Sequence, residues 1–416
     1  MASWRENAVG QTQHSTAQQL HHNRGIRLHA THTPFHRGGR GHDRAAGGLR
    51  FRLRAGDDEA ASASDSSAAS AGQQAKDGIK LPEGVPTSLD DLKKWKEGGW
   101  KDWDKWARKA SEFANPMIKD FWQPSRMAKA KDSSTTVSTQ SAGQDQAATD
   151  PEPPAVPAKQ VSRPYHQNMA PVGKVFFDSP EGPMVCSGTV VDDPAHPGKS
   201  NLVWTAGHCV HSGKQGGWMR NIVFVPSYND NGLGAEQTQT AAQNEVSPYG
   251  VWWADWSQTS SEWIANGGKT GGVGSAYDFA VLHVKPEGGG GKSLQETVGA
   301  SVPVWFGAPS ADRVSSIGAY GYPQAPPYDG AKMFNCTSRP GRLSFSPTSP
   351  TMYRIGCSMT GGTSGGGWFV NNDGKTVLVS NSSIGSYGHT WLAGPHLGSE
   401  AKGVFEAISK KYAGQG

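Results

Sequence analysis

Residues 360–368 read TGGTSGGGW, and the reading of this stretch decides the fold. Five glycines in nine positions suit a flexible linker. The flanks do not, because Met352, Tyr353, Ile355 and Cys357 precede the stretch and Trp368, Phe369 and Val370 follow it. Gly362-Thr363-Ser364-Gly365-Gly366 matches G-x-S-x-G, the strand-to-helix elbow of α/β-hydrolases. That fold needs an acid, then a histidine, then several βα units after the serine. Asp373, His389 and His396 stand in the right order, but the remaining chain is too short. It also needs a helix directly after the nucleophile, and GGGWFVNNDG is not helical sequence. An esterase of that kind is therefore the weaker reading.

Outward from the serine, short apolar runs alternate with Gly, Pro, Asn and Asp clusters: VGKVFF, CSGTVV, NLVWTA, NIVFVP, FAVLHV, VPVWFG and KTVLVS. Strands of this length and spacing predict an all-β sandwich or barrel from about residue 164 onward. Composition agrees, with 54 glycines and only 18% charged residues. The tail at 399–413 is the exception. Ser399 is read as its N-cap, and Val404, Phe405, Ile408 and Tyr412 share one helical face.

The first 163 residues differ in character. Residues 1–80 contain ASASDSSAASAGQQ and lack hydrophobic periodicity, which predicts disorder. Arg24, Arg27, Arg37, Arg40 and Arg44 belong to this region without interleaved aromatics. With a net charge of only +4, no nucleic-acid partner is expected. Residues 81–130 carry Trp103, Trp106, Ala107, Ala110, Phe113 and Ala114 at helical spacing before Pro116. They are read as a Trp-rich helical prosegment that docks on the following domain. Residues 131–163, rich in Ser, Thr, Gln and then Pro, are read as a linker in which cleavage releases the mature enzyme. No run of about 18 apolar residues occurs, so no transmembrane helix is expected.

Cys186, Cys209, Cys336 and Cys357 allow three disulfide pairings. Neighbour pairing would close two loops of roughly 20 residues, each contributing about 3 kcal/mol. Zinc is disfavoured because no C-x-x-C occurs. Paired cysteines imply an oxidising compartment. The N-terminus has arginines but no apolar leader, so secretion is expected with the true start or signal elsewhere.

Upstream of the serine, NLVWTAGHCV places His208 after one apolar strand, and AYDFAVLHV places Asp278 at the start of another. His208, Asp278 and Ser364, in that order, with CSGTVV before the histidine, resemble the chymotrypsin-like (trypsin-like) serine peptidases. The likeness is narrower to their secreted bacterial branch, which includes the glutamyl endopeptidases. It covers roughly residues 164–416. It implies two Greek-key β-barrels with the site between them, closed by a C-terminal helix. It implies a Cys186–Cys209 bridge, and neighbour pairing then joins Cys336 to Cys357. It implies Ser364 as nucleophile, His208 as general base and acid, Asp278 as the orienting group, and the N–H groups of Gly362 and Ser364 as oxyanion hole. A monomer acting on a protein or peptide substrate, without cofactor, metal or membrane, is the expectation.

This chain departs from the family in places. Thr363 stands where Asp is common, so an acid-to-N-terminus activation switch cannot operate. Gly367 replaces the usual Pro. Ser358, six before the serine, lies by resemblance at the base of the primary pocket, with Ser383 and Gly385 beside it. A neutral Ser358 predicts no strong preference for Arg or Lys and a modest one for apolar or small residues. VWWADWSQTSSEWIANGGKTGG (251–272) is read as a surface loop first and a substrate contact second. His211, His283, His389 and His396 are assigned no role. A catalytically silent binding module on the same fold is the alternative from another class.

Overall fold

The computed structural model describes residues 112–115, 117–133, 135–137 and 148–414. The expected disordered region 1–80 and most of the Trp-rich segment lie outside the described residues. The strands run β1 (Glu112–Ala114), β2 (Lys131–Asp132), β3 (Thr136–Val137), β4 (Lys159–Gln160), β5 (Val172–Ser179) and β6 (Gly182–Val191). Then come β7 (Leu202–Thr205), β8 (Arg220–Pro226), β9 (Trp252–Thr259) and β10 (Ala280–Pro286). The second half holds β11 (Ile317–Gly321), β12 (Phe334–Ser338), β13 (Gly341–Leu343) and β14 (Met352–Gly356). It ends with β15 (Gly367–Asn372), β16 (Lys375–Asn381), β17 (Ile384–Ser386) and β18 (Trp391–Gly394).

In the first half β9, β10, β7, β6, β5 and β8 follow one another side by side, and β8 pairs again with β9. Six strands thus close a barrel. Its interior takes alternate residues, among them Val175 and Phe177, Val203, Ile222 and Phe224, Trp252 and Ala254, Ala280 and Leu282. The second half builds two five-stranded sheets, β16-β15-β11-β12-β4 and β13-β14-β18-β17-β3. Ile317, Ala319, Tyr353, Ile355, Trp368 and Val379 pack there as a separate core. The helix Ser399–Tyr412, capped by Gly398 rather than Ser399, buries Val404, Phe405, Ile408 and Tyr412. Phe405 meets Trp204 and Phe306 at ring-centroid distances of 6.5 and 5.6 Å.

The strand β9 corrects the surface-loop reading of 251–272 over residues 252–259. Trp252 points into the barrel, while Trp253 and Trp256 join the apolar cluster outside it. That outer cluster includes Ile118, Phe121, Trp122 and Met127, so both faces of β9 are buried and the usual apolar–polar alternation is missing.

The segment before residue 164 is corrected as well, within its described part. Phe113 and Ala114 lie in a strand, not a helix, because β1 pairs antiparallel with the edge of β9. Trp122 Nε1 donates to Asn221 O at 2.6 Å, and the Arg126 guanidinium pairs with Asp178 at 2.6 Å. The expected linker is woven into the sheets: β2 runs parallel to β6, β3 parallel to β17, and β4 antiparallel to β12. Asp150 holds Arg342 at 2.6 Å. Main-chain pairing needs no apolar side chains, which is why polar sequence takes these places.

Candidate active site

β7 ends at Thr205 and a short 3-10 turn, Gly207–Cys209, carries His208 out of it. Antiparallel β10 sets Ala280 opposite Thr205, so Asp278, two residues earlier, arrives at the same end as His208. The carboxylate is 1% exposed and receives three hydrogen bonds. His208 N donates to Oδ1 at 2.7 Å, His208 Nδ1 lies 2.7 Å from Oδ2, and Ser383 Oγ donates to Oδ2 at 2.6 Å. Nδ1 beside an acceptor-only carboxylate carries the proton, which leaves the lone pair on Nε2. Nε2 is buried and makes no hydrogen bond among the described residues, to Ser364 or to any other group.

The two halves meet through Asn381. Its Nδ2 donates to Asp278 O at 3.0 Å, and its Oδ1 accepts from Trp204 Nε1 at 3.0 Å. Trp263 covers the histidine, with ring centroids 6.2 Å apart, and its Nε1 donates to His211 O at 2.8 Å.

Ser364 is 6% exposed and sits between β14 and β15. Its loop is pinned from two sides. Ser187 N donates to Ser364 O at 2.7 Å, and Gly365 N donates to Ser382 O at 2.8 Å. Gly365, at φ +78°, lies so close to the histidine strand that a Cβ there would stand 2.1 Å from Thr205 Oγ1 and 2.7 Å from Ala206 N. Gly362 has φ +100°, and a Cβ would come within 2.5 Å of Tyr322 O. Only glycine fits either position without strain. The N–H groups of Gly362 and Ser364 donate to no acceptor among the described residues. No helix follows the serine; β15 does.

The predicted pocket residues part company. Ser383 and Gly385 line a cavity with Ser364, together with Thr360, Ser382 and His389. Ser358 does not. Its Oγ accepts from Ala158 N at 2.9 Å and lies 3.1 Å from Tyr328 Oη. The 154–158 segment covers it, and sequence shows nothing of that. His389, assigned no role from sequence, reaches the cavity because it sits in the β17–β18 turn at φ +50°. No carboxylate lines this cavity among the described residues.

The cysteines stand in two pairs at disulfide distance, Cys186 with Cys209 and Cys336 with Cys357. Ligand atoms of Cys186, His208 and Cys209 lie within 4.8 Å of one another, but paired sulfurs offer no thiolate and His208 Nδ1 is engaged by Asp278. The set does not fit a metal.

No family model and no curated protein matches the sequence. Among solved structures, the chain is similar to the thermostable serine protease AL20 from an extremophilic microorganism. Identity is 32%, the match covers 58% of this chain and 97% of that one, and the TM-score is 0.46. Protease Anisep from Arthrobacter nicotinovorans is 28% identical over 60% and 99% of the two chains, with a TM-score of 0.46. A Glu endopeptidase solved with MPD is 16% identical over 63% and 99%, with a TM-score of 0.43.

Proposed function

The chain belongs to the chymotrypsin-like serine peptidases, and from that premise we propose that it is a secreted serine endopeptidase that cleaves protein or peptide substrates through an acyl-enzyme on Ser364. The observation that carries this reading is the His208–Asp278 pair, whose unbonded Nε2 stands at the end of the strand against which the serine loop packs. A serine hydroxyl is a weak nucleophile until an imidazole accepts its proton. In this reading Ser364 Oγ attacks the scissile carbonyl while His208 Nε2 takes the proton. Asp278 holds the tautomer and stabilises the imidazolium. The free N–H groups of Gly362 and Ser364 receive the oxyanion, each worth about 2.7–4 kcal/mol in the transition state. His208 returns the proton to the leaving amine, and water then releases the acyl group by the same route. A Ser364–His208 hydrogen bond that forms only when substrate closes the site is compatible with this scheme.

Among the described residues, the cavity beside Ser364 has hydroxyls and His389 but no acid. It therefore accommodates small or apolar side chains better than Arg or Lys. The peptidase unit, in this proposal, includes the chain from about residue 148, because Asp150, β4 and Val161 are built into the second half. The two cysteine pairs accord with an extracellular site of action.

The test is covalent labelling with a fluorophosphonate probe. The wild-type chain should carry the label on Ser364, and Ser364→Ala should carry none while melting at nearly the same temperature. Labelling of the alanine variant would assign the nucleophile elsewhere. No labelling of the wild-type chain under any condition, including after removal of its N-terminal segment, would favour the silent binding module.

A further inference from the structure

The strand β17 has two edges. β18 takes one, pairing Ile384 with Ala393 and Gly385 with Leu392. The other edge borders the cavity that holds Ser364, and the chain's own β3 occupies it, in parallel, with Thr136 beside Gly385 and Val137 beside Ser386. Gly385 N donates to Thr135 O at 3.1 Å. Val137 is 1% exposed and packs with Ala276, Ile384 and Trp391. Thr135 and Thr136 themselves line the cavity, and only about 20 Å³ is left in it, room for roughly one water.

The segment is anchored on the other half too. β2 pairs in parallel with β6 at Met184 and Val185, Ser133 Oγ donates to Val185 O at 3.0 Å, and Ala130 O accepts from Gln324 Nε2. Residues 130–133 therefore lie along β6, next to Cys186, while residues 135–137 lie along β17 beside the serine cavity.

Resting on the peptidase reading, we infer that residues 135–137 are an internal strand that takes the substrate's place on β17 and holds the enzyme inactive until displaced. An extended peptide gains main-chain bonds by adding to a free sheet edge, and this edge beside the serine is already paired. The occupant is not a substrate. Its Thr135 carbonyl is spent on Gly385, and no carbonyl of 135–137 reaches the N–H groups of Gly362 or Ser364. The inhibitor in this reading is this short strand. It also supplies the latency that Thr363 cannot.

The experiment compares the full wild-type chain with Val137→Asp and Val137→Ala. Three readouts are hydrogen exchange at the Gly385 amide, fluorophosphonate labelling rate and kcat/KM on a fluorogenic peptide. A charge in place of a buried valine should free the strand. Val137→Asp should then exchange at Gly385 faster, and label and turn over at least about tenfold faster, with Val137→Ala moving the same way by less. A synthetic peptide of residues 131–137 added in trans should inhibit the released variant competitively. Unchanged Gly385 exchange together with equal labelling in all three proteins would overturn the inference and leave the peptidase reading intact. Faster exchange with no labelling or turnover in any variant would overturn both. If Val137→Asp loses its cooperative melt, the same comparisons on Val137→Ala decide.

Discussion

Replacing Asp278 by Asn tests the site at its centre. The carboxylate accepts from His208 N, His208 Nδ1 and Ser383 Oγ, all within 2.7 Å. An amide has one oxygen and one NH2. The His208 main-chain N–H cannot change, so the oxygen stays with it and the NH2 replaces Oδ2. Ser383 can rotate its hydroxyl to accept. The imidazole can respond only by turning Nδ1 into an acceptor, which moves its proton to Nε2. The base is then on the wrong nitrogen, and no buried charge remains to stabilise the imidazolium. We expect kcat/KM to fall about ten-thousand-fold, roughly 5.5 kcal/mol in the barrier. Stability should fall by only about 1.5–3 kcal/mol, one charge-assisted hydrogen bond. Ser383→Ala is the control: it removes one donor, leaves the tautomer unchanged, and should cost about tenfold. Initial rates on a released, active chain and urea melts measure both. Asp278→Asn within tenfold of wild type would refute the assigned role, as would a loss confined to KM.

Other outcomes follow from particular contacts. Gly362→Ala places a Cβ 2.5 Å from Tyr322 O at φ +100°, so the amide must turn away; kcat should drop about a hundred- to a thousand-fold, and a change under threefold would sink the oxyanion assignment. Lys174, 3% exposed with Nζ 2.8 Å from Gly330 O, has its pKa lowered by burial to about 7. Above that value the unfolded chain binds a proton the folded chain does not, so unfolding free energy should rise by about 1.4 kcal/mol per pH unit from about pH 7 to 10. Lys174→Met should abolish that slope in melts across the range, and an equal slope in the variant would contradict it. A peptide library should show cleavage after small or apolar residues; cleavage confined to Arg and Lys would refute the neutral pocket.

Sequence alone carried the order His208, Asp278, Ser364, the glycines around the serine and the short apolar runs. These are local demands: a nucleophile loop needs positive φ, and a barrel strand needs period-two burial. It also placed the C-terminal helix, whose stripe faces one core. The buried strand β9 escaped because its tryptophans face apolar clusters on both sides, which removes the alternation that marks a strand. The position of Ser358 six residues before the serine assigns it to the pocket, but the chain from Pro154 to Ala158 covers it. His389 came to the cavity through the direction of a hairpin turn, and Ser383 to Asp278 through the approach of two separately built halves. The polar residues 131–137 looked like linker because main-chain hydrogen bonding is nearly indifferent to side chains. Which sheet edge such a segment joins depends on which edges the folded barrel and sheets leave open, and only the tertiary structure decides that.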